Sequence, residues 1–362
     1  MRIRELRLQP FRNLQDFELP LASDRIVIVA TNGFGKSNIL EAISYLSLGK
    51  SVRGARDRDA VPHGGSFFDV EGHCWEGDRA RQLRIYYDAG NGKTAFCNQS
   101  ALSRVSEVIG LFRTVHFSPE DVALVLRFPA QRRRLLNILL SQSSGEYLQC
   151  LQRYNRTLAQ RNELLRSAKR QGVRPNPADL DVWDQQFAEV GAGIRGQRLR
   201  SLAVIGESFR NYYAPFAPAG EAVGIEYRGP TAGDDALLQQ ELLGELREKA
   251  FQERMQGHTL SGPHRDDLVF LLNGRAADSF ASEGQMKTML IAWKMAEVSF
   301  LEANSGQRPV FLLDDVISEL DYRRSATLME MIDEFGQVLV TAPKRVAEAS
   351  GFETLELAEA EA

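Results

Sequence analysis

The chain has 362 residues, 43% of them hydrophobic and 25% charged, and a formal net charge of −4. Those proportions fit a globular protein of more than one domain and exclude collagen-like, disordered and membrane-embedded classes. A net negative balance gives no bulk attraction for a polyanion, so any nucleic-acid partner has to be held by a local basic patch.

The N-terminus alternates through Ile3, Leu6 and Leu8, and after Phe11-Arg12-Asn13 the apolar positions resume at Leu14, Phe17 and Leu19. This predicts two strands joined by a short turn at Arg12 and Asn13. Next, Ile26-Val27-Ile28-Val29 reads as a strand that runs into Ala30-Thr31-Asn32-Gly33-Phe34-Gly35-Lys36-Ser37. An amphipathic helix follows through Asn38, Ile39, Leu40, Ala42 and Ile43. A strand, a Gly-containing loop ending in Gly-Lys-Ser and a helix make the layout of a P-loop. Its backbone N–H groups wrap phosphates, the Lys bridges two of them and the Ser hydroxyl takes Mg²⁺. The helix N-terminus adds partial positive charge at the same place. Ala30 stands where the pattern has Gly, and a Cβ is tolerated there if φ stays negative.

Residues 68–116 are β-rich, with turn signals such as Asp88-Ala89-Gly90-Asn91-Gly92 between apolar runs. From Pro129 to about Gly172 the leucine spacing predicts helix. A Pro-containing break, Val173 to Pro177, precedes a second long helix to about Tyr213. A strand at Val223–Tyr227 and a helix from Asp235 to about Gln256 follow, and β/α alternation returns after Ser261. One α/β lobe (1–118 and 258–362) split by a largely helical insertion (119–257) is the expected organisation. Between Arg127 and Arg170 lie ten Lys or Arg against two acids. Within it Arg132, Arg133, Arg153, Arg156, Lys169 and Arg170 are candidates for phosphate contact, and a solvated helical face is the plainer alternative.

Pro309-Val310-Phe311-Leu312-Leu313-Asp314-Asp315 reads as a buried strand ending in two carboxylates. Asp314 suits a Mg²⁺ shell and Asp315 an attacking water, or the pair caps the next helix. Ser282-Glu283-Gly284-Gln285 satisfies a capping box, and the same Ser and Gly permit close approach of a phosphate to a helix N-terminus. The cysteines, Cys74, Cys97 and Cys150, lie far apart with no metal-ligand spacing, which suits a reducing cytoplasm. There is no secretory pattern and no apolar run of membrane-spanning length.

In order, Ala30–Ser37, Ser282–Gln285, Asp314-Asp315 and Ser318-Glu319-Leu320-Asp321 resemble the Walker A, signature, Walker B and D-loop motifs of ABC-type ATPases. Phe117-Ser118-Pro119-Glu120-Asp121, Arg132-Arg133-Arg134-Leu135-Leu136 and Ser261-Gly262-Pro263-His264-Arg265-Asp266-Asp267-Leu268 narrow the resemblance to the bacterial RecF family, in the branch that works on chromosomes. The resemblance implies an α/β fold, an ABC-type P-loop ATPase head with an inserted helical arm. It implies ATP and Mg²⁺ as cofactors, Lys36 and Asp315 as catalytic residues, and Ser37 and Asp314 as metal ligands. Residues Ala30 to Asn38 would cradle the phosphates, with Arg12 and Asn13 on the adenine side. Ser282 and Gly284 would act on the nucleotide of a second copy, and Gln285 and Asp321 are further nucleotide-binding candidates.

The family is understood to form an ATP-dependent homodimer on double-stranded DNA near gaps and single-strand/double-strand junctions. With RecO and RecR it assists recombinase loading in recombinational repair, replication restart and the response to DNA damage. The implied location is the cytoplasm, at the nucleoid. Thr341 stands where many ABC ATPases carry a switch His, which implies slow hydrolysis, and Asn137 stands where the family commonly has Asp. The competing readings are another SMC-like or ABC ATPase, such as a transporter engine, and a relative whose nucleotide switch Ala30 has weakened.

Overall fold

A computed structural model of the chain describes residues 1–31, 33–173, 176–230, 233–343 and 351–357. The N-terminal part is mostly strand. It comprises β1 (Arg2–Leu8), β2 (Phe17–Pro20), β3 (Arg25–Val29), helix α1 (Lys36–Leu48), β4 (Phe67–Glu76), β5 (Arg79–Asp88), β6 (Gly92–Cys97), β7 (Ser100–Ala101) and β8 (Thr114–Phe117). The middle is mostly helix: α2 (Pro119–Arg127), α3 (Pro129–Ser143), α4 (Gly145–Gln171), α5 (Pro177–Tyr213), β9 (Val223–Arg228) and α6 (Asp235–Gln256). Then come β10 (Asp267–Leu272), β11 (Arg275–Ala276), α7 (Ala277–Phe280), α8 (Glu283–Ser305), β12 (Val310–Leu313), α9 (Tyr322–Ile332), β13 (Val338–Ala342) and β14 (Glu353–Glu356).

The chain divides into two compact units. Met1–Leu124, Ser208–Glu221 and Ala281–Ala362 make the first; Val125–Glu207 and Ala222–Phe280 make the second. The expected boundaries therefore shift at three places, the first being residues 119–124, which belong to the first unit. Residues 258–280, expected in the ATPase lobe, belong to the second unit, because β10 forms an antiparallel ladder with β9 from Asp267↔Arg228 to Leu272↔Val223. The end of α5 belongs to the first unit, where Phe209 meets Trp293 edge-on and Tyr212 bonds Ser299 at 2.6 Å.

Two sheets build the first unit. One is parallel, ordered β14-β3-β13-β12-β8, and apart from the exposed edge strand β14 its near-continuous apolar strands are buried, as a sheet covered on both faces requires. The other is antiparallel, ordered β2-β1-β4-β5-β6-β7, with the in–out alternation of a one-sided sheet. Between them α1 is buried almost throughout after its first turn. Tyr45 on that helix packs edge-on against Phe11 and Phe68, with ring centroids 5.5 and 5.3 Å away. Gln337 ties the sheets together: its buried amide accepts from Ile3 N–H at 2.7 Å and donates to Ile3 O at 2.9 Å and Ser23 O at 3.0 Å.

The second unit is organised by buried arginines. Arg161 on α4 reaches Asp184 on α5 and Glu253 on α6, both at 2.7 Å. Arg195 on α5 is bidentate to Asp266 at 2.9 Å and also meets Glu245 at 2.8 Å. Arg198 donates to Pro263 O at 2.8 Å and Asn137 Oδ1 at 3.0 Å. The Ser261–Leu268 stretch, singled out from the sequence, is thus the polar hub of this unit. Its His264 accepts from the Tyr154 hydroxyl at Nδ1 (2.5 Å) and faces Thr259 O through Nε2 (3.3 Å), a pairing that suits the neutral ring.

Burial of His264, aided by the neighbouring Arg265 and Arg133 charges, lowers its pKa to about 4. A group depressed in the folded state takes up protons preferentially on unfolding. Stability is therefore full above the ordinary value near 6.5 and falls as pH drops toward 4. Urea titrations should show that acid-side loss in the wild type and a flatter profile between pH 6.5 and 4 in His264→Gln.

Candidate nucleotide site

The site forms where strands of the parallel sheet end, the usual ligand edge of such a sheet. Strands β3, β12 and β13 run in register, with Leu313 beside Val340 and Val340 beside Val27. This brings the loop after β3, the carboxylates after β12 and Thr341 on β13 to one edge. A cavity of about 400 Å³ opens there, lined by Gly33, Gly35, Lys36, Ser37, Asn38, Asp314, Asp315 and Thr341.

Two glycines shape the described part of the loop. Gly33 and Gly35 take φ of 87° and 109°, a region costly for other residues, while Ala30 is not among the residues with positive φ. The substitution at Ala30 is therefore accommodated without strain. Lys36 folds back on the loop, its Nζ donating to Ala30 O at 2.9 Å and Thr31 O at 3.4 Å. Asn13 braces the loop from the β1–β2 turn: Nδ2 donates to Phe34 O at 2.8 Å and Oδ1 accepts from Asn38 at 2.7 Å. A Cβ on Gly35 would come within 2.6 Å of Asn13 Oδ1, so this brace requires glycine. Arg12, at φ 53°, makes a two-pronged ion pair with the fully buried Glu41, at 2.7 and 2.8 Å. Asn32 lies outside the described residues.

Asp314 is 4% exposed and is the junction of the site. Its Oδ1 accepts from Ser37 Oγ at 2.8 Å and from Thr341 Oγ1 at 2.7 Å. Its Oδ2 faces Arg53 Nη2 at 3.1 Å. Asp315 is left-handed (φ 48°), with its N–H donated to Thr341 Oγ1 at 2.9 Å and its carboxylate accepting from Ser318 at 2.5 Å. Thr341 therefore holds the Asp314 carboxylate and the Asp315 backbone N–H, a role in which a histidine could not substitute atom for atom. A hydroxyl and a buried carboxylate already within one hydrogen bond fit Mg²⁺, which takes one or two protein oxygens and completes its shell with phosphates and water. That donor set contains no cluster of three His, Cys, Asp or Glu, and among the described residues none exists.

Ser282 caps α8 in a complete capping box with Gln285, at 2.8 and 3.2 Å, and Gln285 also donates to Glu221. Gly284 leaves room for Arg324, whose Nη1 a Cβ there would meet at 2.6 Å. Arg324 pairs with Asp321 at 3.0 Å, and Asp321 caps α9. Lys287 joins Glu283 and Glu319, at 2.9 and 2.6 Å. The signature-like and D-loop-like segments thus form one linked surface, and neither Ser282 nor Gly284 lines the 400 Å³ cavity.

The basic set separates. Arg132 is 6% exposed and bidentate to Asp267 at 2.9 and 2.7 Å, so it is a buried structural cation and not a DNA contact as expected. Arg133 is half-buried against Asp266 O. Arg153, Arg156, Lys169 and Arg170 are exposed, with Arg153 3.4 Å from Glu189, Arg170 2.7 Å from Glu163 and Lys169 bonded to Gln256 O. The patch is weaker than its composition indicated, since Arg161 is also buried. Arg53, Glu41 and the Thr341 hydroxyl were missed from the sequence. Only Glu41 left a signal, as a charged residue inside an otherwise apolar stretch of helix.

The family model described as RecF/RecN/SMC N terminal domain matches residues 2–355. The DNA replication and repair protein RecF of Salinibacter ruber is 35% identical over 95% of this chain and 85% of its own. That of Streptomyces avermitilis is 36% identical over 94% of this chain and 93% of its own. This chain belongs to the RecF family. A solved structure of the recombination mediator protein RecF-ATPrS in the RecFOR pathway superposes with a TM-score of 0.88 at 30% identity, covering 99% of this chain and 96% of that one. An Smc head bound to the C-terminal winged-helix domain of ScpA shares the fold, with a TM-score of 0.59 at 14% identity, covering 99% of this chain and 95% of that one. The fold is thus the SMC-like, ABC-type ATPase fold. No helix among the described residues is long and apolar enough to cross a membrane.

Removing one partner of a buried ion pair leaves the other charge uncompensated. Arg132→Ala should lower unfolding free energy by about 3 kcal/mol, whereas Arg156→Ala, at an exposed position, should change it by less than about 0.5 kcal/mol. Urea midpoints of the two variants check this.

Proposed function

We propose that this protein is an ATP-dependent DNA clamp of recombinational repair and replication restart, a weak ATPase that closes as a head-to-tail homodimer. The observation that carries the reading is the Ser37–Asp314 contact of 2.8 Å beside Lys36, in a cavity at the sheet edge. Family membership supports it, as does the likeness to RecF structures with ATPrS and with ATP, the latter at a TM-score of 0.89.

Bound Mg²⁺·ATP supplies the phosphoanhydride to be cleaved and a divalent charge on its oxygens. Gly33, Gly35 and the first turn of α1 would present N–H groups to phosphate oxygens, and Lys36, now on the Ala30 and Thr31 carbonyls, would neutralise them. Ser37 and Asp314 would hold the metal. Asp315, fixed by Thr341 and Ser318, orients the attacking water and accepts its proton. No histidine stands at Thr341 to assist, which supports slow turnover. Asn13 fixes the loop, and Arg12 acts through Glu41 at the base of α1, near the adenine side.

Ser282 and Gly284, outside the cavity, are the residues offered to the nucleotide of a second copy, with Gln285 and Asp321 holding their helix ends in place. Two subunits of like charge repel, so closure depends on the nucleotide between them. Exposed Arg153, Arg156, Lys169 and Arg170 supply sequence-independent phosphate contacts to duplex DNA and its junctions. RecO and RecR are the expected partners, and the nucleoid the place of action.

Asp315→Asn keeps charge-independent contacts but lacks the base. It should bind a fluorescent ATP analogue like the wild type, hydrolyse ATP at least about 100-fold more slowly, and retain duplex DNA longer in filter binding. DNA retention indifferent to ATP in both proteins would contradict the clamp.

A further inference from the structure

The cation on Asp314 is not Lys36. Lys36 is turned onto its own loop, and the positive group facing Asp314 Oδ2 is Arg53, at 3.1 Å. Arg53 lies just after α1, in a turn shaped by Ser51, whose hydroxyl accepts from Arg53 N–H at 3.2 Å and donates to Glu41 at 2.5 Å. The second prong of the guanidinium is 3.8 Å from Glu41, which Arg12 already neutralises. Its Nε is buried with no hydrogen-bond partner. A guanidinium held against two buried carboxylates with one donor unused is kept there by charge.

Arg12, Glu41, Arg53 and Asp314 make a chain of alternating sign whose formal charges cancel. The two hydroxyls occupy Oδ1 and Arg53 occupies Oδ2, so both carboxylate oxygens are engaged. A divalent cation entering alone would sit within a few ångströms of a fixed positive charge in a half-buried site, where such repulsion is poorly screened. With a triphosphate in the cavity both cations have anionic partners. We propose that Arg53 is the resident counter-ion of Asp314, which keeps free divalent metal out of the site until nucleotide is present. The proposal rests on the reading of Ser37 and Asp314 as metal ligands. It makes metal and nucleotide binding strongly coupled, so that neither half-loaded state accumulates.

The test uses the full chain without nucleotide and Mn²⁺ alone as the probe, with free Mn²⁺ read by electron paramagnetic resonance. Wild type should bind Mn²⁺ weakly, and Arg53→Gln at least about tenfold more tightly. The gain should vanish in Arg53→Gln combined with Asp314→Asn. Equal affinity in wild type and a folded Arg53→Gln overturns the proposal. So does tight, Asp314-dependent Mn²⁺ binding by the wild type, a result that holds even if the variant fails to fold. A wild type that binds no fluorescent ATP analogue would contradict the proposed function and the coupling to nucleotide, whereas the Mn²⁺ measurement, which contains no nucleotide, tests the exclusion of metal by Arg53 separately.

Discussion

A single buried carboxylate joins the parts of the nucleotide site. Asp314 receives a hydroxyl from α1 (Ser37), a hydroxyl from β13 (Thr341) and a guanidinium from the turn after α1 (Arg53). A carboxylate at 4% exposure is costly unless it is hydrogen-bonded and its charge is paired. The three donors therefore fix the spacing of the P-loop helix from β12 and β13. The parallel sheet brings these groups to one edge because β3, β13 and β12 are neighbours in register. Asp315 inherits its position from the same bond set, since its N–H shares Thr341 with Asp314. The cost of its left-handed backbone is repaid by that anchoring.

The second unit solves a different problem with similar means. Helices α4, α5 and α6 are polar along much of their length, and buried arginines cross-link them to carboxylates and to the Ser261–Leu268 loop. Several residues that look basic and available by composition, Arg132 and Arg161 above all, are consumed by this framework. What is left for a polyanion is the exposed subset on α4. In the proposed clamp that surface serves modest, salt-dependent contact with phosphates rather than base readout.

Much of this was legible in the sequence. The strand–loop–helix at Ile26–Ile43, the strand before Asp314 and the capping box at Ser282 carry strong local signals, and each stands where expected. The order of helices and strands through the middle region was also readable from leucine spacing and Pro breaks. Pairing was not. That β10 joins β9 in the second unit depends on a ladder between segments separated by α6, which no local pattern encodes. Burial of single charges was equally hidden, because Arg132 is buried and Arg156 exposed although both sit in basic helical stretches. Arg53 is one of several arginines in a Gly-containing turn, and only the folded chain shows that it meets Asp314. Thr341 read as the lack of a histidine; its hydroxyl is a positive feature of the site.

In the proposed clamp the P-loop supplies one half of the site, and α8 with its Ser282 cap supplies the half offered to a second copy. Separation of Ser282 from the cavity gives the nucleotide its proposed place as part of an interface. The most direct test is molar mass in solution by light scattering, with and without ATP and Mg²⁺, for wild type, Lys36→Ala and Ser282→Arg. The account predicts a doubling of mass for wild type with ATP alone among these, with Ser282→Arg staying monomeric although it still binds nucleotide. A mass indifferent to ATP in the wild type, or an ATP-dependent dimer that survives Ser282→Arg, would contradict it.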